Sequence, residues 1–204
     1  MDCIIPAAGA SRRMGIPKQT VLFEGRPLLT VAVEQALTVC SRCIVVTGFN
    51  REQAQVAIPK RPEVEEVYNP HHQDGMISSI ARGAVHVRSS WFFVAPGDMP
   101  RLSPSIFATL AEAARTADPD RGPAAFFPLY GGRRGHPVLI SRRVISELHA
   151  RAKDYQSMRE FLSRYESRDI VVSDPGIVVD IDTPEDLSSA EDAVGKRHEQ
   201  HESE

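Results

Sequence analysis

Three short apolar runs set the limits on how this chain can fold: Cys3 to Pro6, Cys43 to Thr47 and Trp91 to Ala95. None is broken by a charged residue, so each needs cover on both faces, which is the habit of strands inside a parallel sheet. Helical patterning separates them. Arg26-Pro27 opens a stretch to Val39 with an apolar face at Leu28, Val31, Ala32 and Ala36, and Asn50 stands where it can cap a helix from Arg51 to Ile58. A third strand is expected from Val64 to Tyr68, then a loop and helix from Asp74 to Arg88. Ser103-Pro104 opens a further helix to Thr116. Strands at Ala125 to Leu129 and His136 to Ile140 follow, with short helices beginning at Ser141 and Ser157. Extended segments at Ile170 to Ser173 and Ile177 to Ile181 and a helix capped at Thr183-Pro184 close the pattern. This alternation predicts an α/β three-layer sandwich around a mostly parallel, Rossmann-like sheet. No repeat or linker divides it, so residues 1–195 are expected to form one domain. The charged tail 196–204, without apolar residues, is expected to be disordered.

Charge and cysteine usage remove several classes of function. A net charge of −3 and a pI near 6.2 leave no basic footprint for nucleic acid. No apolar run approaches the roughly 18 residues of a membrane span, and no charged-then-apolar leader marks secretion, so a cytoplasmic location is expected. Cys3, Cys40 and Cys43 are an odd, sparse set that suits a reducing compartment. Cys40-Ser41-Arg42-Cys43 has C-x-x-C spacing, but it falls between a helix end and a strand start, where no helix dipole activates a thiol, so structural cysteines are expected. His71-His72 has no third ligand at metal spacing and reads as solvent-facing.

In open α/β sheets ligands bind beyond the carboxyl ends of the strands, so the segments after Pro6, Asn69, Ala95, Leu129 and Ile181 should face one cleft. The first of them is Ala7-Ala8-Gly9-Ala10-Ser11-Arg12-Arg13-Met14-Gly15-Ile16-Pro17-Lys18. Small residues let backbone N–H groups approach an anion, and Arg12, Arg13 and Lys18 add positive charge. The loop fits neither common glycine template. Ile16 follows Gly15 where a P-loop needs lysine, and Ser11 and Met14 stand where a dinucleotide fingerprint needs glycine.

The loop resembles the nucleotide-binding signature of the MobA-like nucleotidyltransferases, which share the fold of nucleotide-diphospho-sugar transferases. Within that family it looks most like the molybdenum cofactor cytidylyltransferases. Ala7-Ala8-Gly9 is similar to the version associated with cytosine, where Ala-Gly-Gly goes with guanine. The resemblance extends to Asn69-Pro70 with Gly75-Met76-Ile77-Ser78-Ser79, implying a base pocket lined by Asn69, Gly75, Ser78 and Ser79. It reaches Pro96-Gly97-Asp98-Met99-Pro100, and Arg134-Gly135-His136-Pro137 beside the acceptor.

Asp98 follows the most apolar strand and Gly97 permits a tight turn, which suits Mg²⁺, an ion content with one or two carboxylates plus substrate phosphates. Asp180 and Asp182 stand two apart in an extended stretch and project from one side. The family places its second metal ligand there, which favours Asp180, with Asp182 next. Thr183 and Asp186 read as a helix cap. The resemblance thus implies nucleotide contacts at Ala7, Ala8, Gly9, Ser11, Arg12, Arg13, Lys18, Pro96 and Gly97. It implies charge stabilisation by Lys18, Arg13 and Asp98, and acceptor contacts at Arg134, Gly135 and His136.

The expected reaction is Mg²⁺-dependent transfer of CMP from CTP to the phosphate of molybdopterin, releasing pyrophosphate. GTP or a sugar-phosphate acceptor is an alternative within the same chemistry. A different class is a non-catalytic carrier that delivers molybdenum cofactor to a molybdenum hydroxylase, but Lys18, Asp98 and Asp180 are more than a carrier needs. One segment departs from the family: a glycine-containing Gly-Asp-x-Gly-x-Arg pattern is replaced by Lys153-Asp154-Tyr155-Gln156-Ser157-Met158-Arg159, on the side of the acceptor.

Overall fold

The structure, a computed structural model, describes residues 1–11 and 14–191. Arg12, Arg13 and the expected disordered tail lie outside the described residues. In chain order the elements are β1 (Asp2–Ala7), a two-stranded ribbon of β2 (Leu22–Phe23) and β3 (Arg26–Pro27), α1 (Leu28–Leu37), β4 (Arg42–Thr47), α2 (Arg51–Ala57), β5 (Val64–Tyr68), α3 (Met76–Ala84) and β6 (Trp91–Val94). Then come α4 (Pro104–Ala114), β7 (Ala125–Tyr130), β8 (Arg133–Arg134), β9 (Val138–Ser141), α5 (Ile145–Arg151), α6 (Met158–Leu162) and β10 (Ser167–Val171). A last helix is described over residues 184–191.

Eight strands form one sheet in the order β10-β7-β9-β6-β1-β4-β5, with β8 paired to β7. β1 pairs in parallel with both β4 and β6, β4 with β5, and β10 with β7. β9 alone in the main path runs the other way, antiparallel to both neighbours, because the hairpin through Gly131 and Gly132 sends the chain straight back after β7. The result is the expected mostly parallel, three-layer arrangement.

The apolar runs are continuous because alternate side chains serve opposite faces. Cys3, Ile5, Cys43, Val45 and Phe93 pack with Leu29, Val33, Phe107 and Leu110 of α1 and α4. Ile4, Ile44, Val46, Phe92 and Val94 pack with Ile77 and Ile80 of α3 and with Leu148, Phe161 and Leu162. Burial of each large side chain stabilises by roughly 1.5–3 kcal/mol. The three cysteines are buried free thiols within the first of these cores, as expected for structural residues. A third, smaller cluster joins Val21, Phe23 and Leu28 to Ile181, Leu187 and Ala190, so the end of the chain is tied back to its beginning.

Several local expectations are corrected. Arg26-Pro27 is the second strand of the ribbon, and α1 begins at Leu28, since Leu28 N–H bonds back to Val21 O at 2.8 Å. Asn50 and Ser103 occupy cap positions, but neither side chain caps; Ser103 Oγ is taken by Asp174 at 2.9 Å. Ser141 and Ser157 do cap, accepting from Arg143 N–H and Glu160 N–H. The last strand is Ser167–Val171 rather than 170–173. Ile177 to Ile181 is no strand: Pro175–Val178 is a 3₁₀ turn, set by Pro175 and by Asp174 accepting from Gly176 N–H.

Candidate active site

The loop after β1 is folded by its own side chains. Ser11 takes a left-handed conformation (φ 51°), and its Oγ accepts from Lys18 N–H at 3.0 Å, closing the loop on the lysine. Met14 N–H bonds to Ser11 O at 3.1 Å. Gln19, just after the lysine, is buried and donates through Nε2 to Ala7 O at 2.8 Å. Gly9 has open space where a Cβ would stand. These features leave the loop's small residues facing a cleft of about 210 Å³.

Ala7, Gly9, Ser11 and Lys18 line that cleft from one side, and Pro96, Gly97, Asp98 and Asp182 from the other. Gly97 stands in a tight place: a Cβ would come within 3.2 Å of the Leu29 side chain and 3.4 Å of that of Ile5. At the junction Lys18 Nζ bonds to Asp98 Oδ2 at 3.2 Å and to Asp182 Oδ1. Residues 80 and 164 positions from the lysine in sequence thus meet on one ammonium. Asp182 arrives there because Ile181 is buried and its N–H bonds to Asp98 O at 3.0 Å. Asp186 accepts from Thr183 N–H and Oγ1 and from Asp182 N–H, so the expected cap also holds the backbone of Asp182.

Burial pushes the Asp98 carboxyl above the ordinary aspartate range; Lys18 counteracts this, and the neighbouring charge of Asp180 adds to it. Among the described residues no group of three or more His, Cys, Asp or Glu side chains is gathered to hold a metal. Asp98 and Asp182 nonetheless converge on a cation, and their hard oxygens fit Mg²⁺ provided that substrate phosphates complete its shell. Asp180 faces an adjoining cavity of about 450 Å³ that it shares with Asp98, Asp182, Arg134, Gly135 and His136.

On that side, Gly135 is explained by a close approach. A Cβ would run into the Ile177 carbonyl, and His136 N–H bonds that same oxygen at 2.9 Å. Burial lowers the pKa of His136, the Val94 carbonyl and Asp180 oppose the shift, and Arg159 adds to it. Arg134 is already engaged: Nε bonds Asp169 at 2.7 Å, Nη2 bonds Ser167 at 3.2 Å, and the guanidinium lies 4.4 Å over the Phe127 ring.

The expected base-pocket residues divide. Asn69 is buried and donates to Ser78 Oγ and Ser79 Oγ, both at 3.0 Å, so these three form a clasp between β5 and α3. Asn69 and Ser78 line a separate surface hollow with His71, Arg82 and His149. Gly75 (φ 89°) turns the chain into α3, and Met76 is the residue of this segment that reaches the cleft. Ala8 is buried against Gly48, whose added Cβ would stand 2.7 Å from that of Ala8. Gln19, Met76 and Arg159 were not expected from the sequence. Gln19 had a usable signal, an amide directly after the loop lysine; the other two depend on how α3 and α6 dock.

A family model described as the MobA-like NTP transferase domain matches residues 3–169. The molybdenum cofactor cytidylyltransferase of Escherichia coli K12 is 30% identical over 192 residues, covering 94% of this chain and 96% of that protein. A probable molybdenum cofactor guanylyltransferase of Bacillus anthracis is 23% identical, covering 92% and 94%. The crystal structure of the Rv0371c homologue from Mycobacterium sp. strain JC1 superimposes with a TM-score of 0.79 at 23% identity, covering 96% of each chain.

Proposed function

The chain belongs to the MobA-like NTP transferase family and is a nucleotidyltransferase, and from that premise we propose that it transfers CMP from CTP to the phosphate of molybdopterin. The observation that carries the reading is the meeting of Lys18, Asp98 and Asp182 at the mouth of the Ala7–Lys18 loop. Ala7-Ala8-Gly9 and the cytidylyltransferase relative support CTP; the guanylyltransferase relatives make GTP the competing nucleotide.

Backbone N–H groups of the loop and the Lys18 ammonium hold the triphosphate and offset its charge, with Arg12 and Arg13 contributing from the same loop. Asp98 with Asp182 or Asp180 holds Mg²⁺, which when bound supplies charge neutralisation at the phosphates. An acceptor phosphate oxygen bonds to the α-phosphorus, and the bond to the β-phosphate oxygen breaks, releasing pyrophosphate. The attacking phosphate is already ionised, so no general base is needed; the site contributes positioning and fixed charge. The product would serve a molybdenum hydroxylase.

Pyrophosphate release is the direct test, with CTP, GTP, ATP and UTP each supplied with Mg²⁺ and molybdopterin, and Asp98→Ala as control. Release with CTP alone, abolished in the variant, is the expected result. Release with GTP would transfer the reading to a guanylyltransferase. Silence with every nucleotide despite cofactor binding would favour a carrier.

A further inference from the structure

We propose that Lys18 is the resident counter-ion of the metal site: its ammonium stands on Asp98 and Asp182, the oxygens a divalent ion needs, so that the ion is held firmly only once a triphosphate has drawn the lysine away. This deepens the reading above and rests on it for Asp98 and Asp182 as the carboxylates that hold the metal.

The backbone on both walls of the cleft is fixed. On one wall Lys18 N–H bonds to Ser11 Oγ at 3.0 Å, and its neighbour Gln19 is anchored to Ala7 O at 2.8 Å. On the other, Ile181 N–H bonds to Asp98 O at 3.0 Å and Asp186 accepts from Asp182 N–H at 3.1 Å, so the two carboxylates belong to one tied unit. What can move is the flexible four-carbon stem of the lysine. Its side chain is 13% exposed, and those of Asp98 and Asp182 are 29% and 19% exposed. Two carboxylates brought together this far from water are unfavourable without a cation. Lys18 Nζ, bonded to Asp98 Oδ2 at 3.2 Å and to Asp182 Oδ1, is that cation.

An ammonium and a hard divalent ion compete for the same carboxylate oxygens, and like charges repel each other there unless an anion comes between them. Lys18 therefore opposes free metal. A triphosphate changes the balance, because it offers the lysine a second set of oxygens in the cleft that Gly9, Ser11 and Lys18 line together. The stem turns to these oxygens, and the two carboxylates are released for the ion. By linkage the opposition is reciprocal: removing the lysine must strengthen metal binding by the factor with which the metal opposes the lysine. The site thereby distinguishes metal that arrives with a nucleotide from metal alone.

The test uses the full chain and Mn²⁺ as the probe, followed by the EPR signal of the free ion, with CTP affinity measured separately in EDTA. The unsubstituted protein is expected to bind Mn²⁺ weakly in the absence of nucleotide and to bind CTP in EDTA. Lys18→Gln should reverse this, binding Mn²⁺ at least about tenfold more tightly and CTP more weakly. Mn²⁺ should then raise the melting temperature of Lys18→Gln and not that of the unsubstituted protein. Lys18→Arg, which keeps the charge, should bind Mn²⁺ as weakly as the unsubstituted protein. Adding Asp98→Asn to Lys18→Gln should abolish the gain. An unchanged Mn²⁺ affinity in Lys18→Gln would overturn the proposal, and so would a gain that survives Asp98→Asn. Tight binding of Mn²⁺ alone by the unsubstituted protein, with CTP bound only after it, would overturn it without any variant. The Mn²⁺ measurements contain no nucleotide and are read apart from the pyrophosphate assay. Pyrophosphate release with an unchanged Mn²⁺ affinity in Lys18→Gln sinks the counter-ion and spares the transferase; the expected Mn²⁺ pattern without release does the reverse.

Discussion

The two ends of the sheet each carry an aspartate, one buried and one partly exposed in the cleft, and the chain treats them in opposite ways. Asp2, at the amino end of β1, is surrounded by donors: Arg42 Nη2 at 3.2 Å, Arg88 N–H at 2.6 Å and Ser89 N–H at 3.2 Å. Burial alone would raise its pKa, but Arg42 and the two backbone N–H groups outweigh that and hold it below the ordinary value. The pKa of Asp98, beyond the carboxyl end of β6, is raised by burial and by the charge of Asp180, which Lys18 and a bond to its own backbone N–H only partly offset. The first carboxylate is satisfied by the fold. The second is left short of partners, which is the condition of a group that awaits a ligand.

The strongest way to break this contrast is Asp98→Ala. Pyrophosphate release should fall by roughly 1000-fold, as when a fixed electrostatic group is removed from a reaction site. The melting temperature should not fall, because a carboxyl whose pKa is raised by folding does not stabilise in its charged form. A large loss of stability would show that Asp98 is a structural residue like Asp2.

Asp2→Asn is the converse. Arg42 keeps Glu65 at 3.1 Å but loses its charged partner at Asp2, and about 1–3 kcal/mol of stability should be lost, read from denaturant melts, with CTP affinity retained. The pH dependence follows from the sign of the shift. A depressed carboxyl pKa contributes stability that is complete above the unfolded value and is lost as pH falls through the folded one. The gap between Asp2→Asn and the unsubstituted protein should therefore hold down to the ordinary aspartate value of 3.8 and close only below it.

Gly135→Ala probes whether the ligand end also carries packing. The new methyl group meets the Ile177 carbonyl, so the hairpin or the 3₁₀ turn must move. A cost of about 1–3 kcal/mol is expected, with acceptor binding weakened more than CTP binding in paired titrations. The smallest effect is expected for His86→Gln at the other end. Its 2.7 Å contact with Glu65 is partly exposed, and such pairs contribute about 0.5 kcal/mol; because Glu65 also bonds Arg42 at 3.1 Å, a loss above about 2 kcal/mol would mean that His86 holds Glu65 in place for the Asp2 cluster.

The difference between the two ends also explains what was legible in the sequence. Strands buried on both faces announce themselves, and a loop of small residues after one of them, or Gly97-Asp98 after another, can be placed without coordinates. Asp2 gave no such signal, because its partners come from β4 and from the turn after α3. Asp180 and Asp182, two apart in an extended stretch, line one cavity as their spacing suggested, while Ile181 between them is buried in a small cluster. Arg134 looked available because its competitor, Asp169, lies on β10, opposite Phe127 in a pairing that only the folded sheet defines.

The bond from Ile181 N–H to Asp98 O has a consequence for how the protein is made. Synthesis delivers Lys18 early, Asp98 near the middle, and Asp182 after every strand of the sheet has been specified. A ribosome that stops short of Asp182 has produced nearly all of the core and an unfinished site. Full-length synthesis is thereby a condition of chemistry, and incomplete chains are born without the second carboxylate at the lysine.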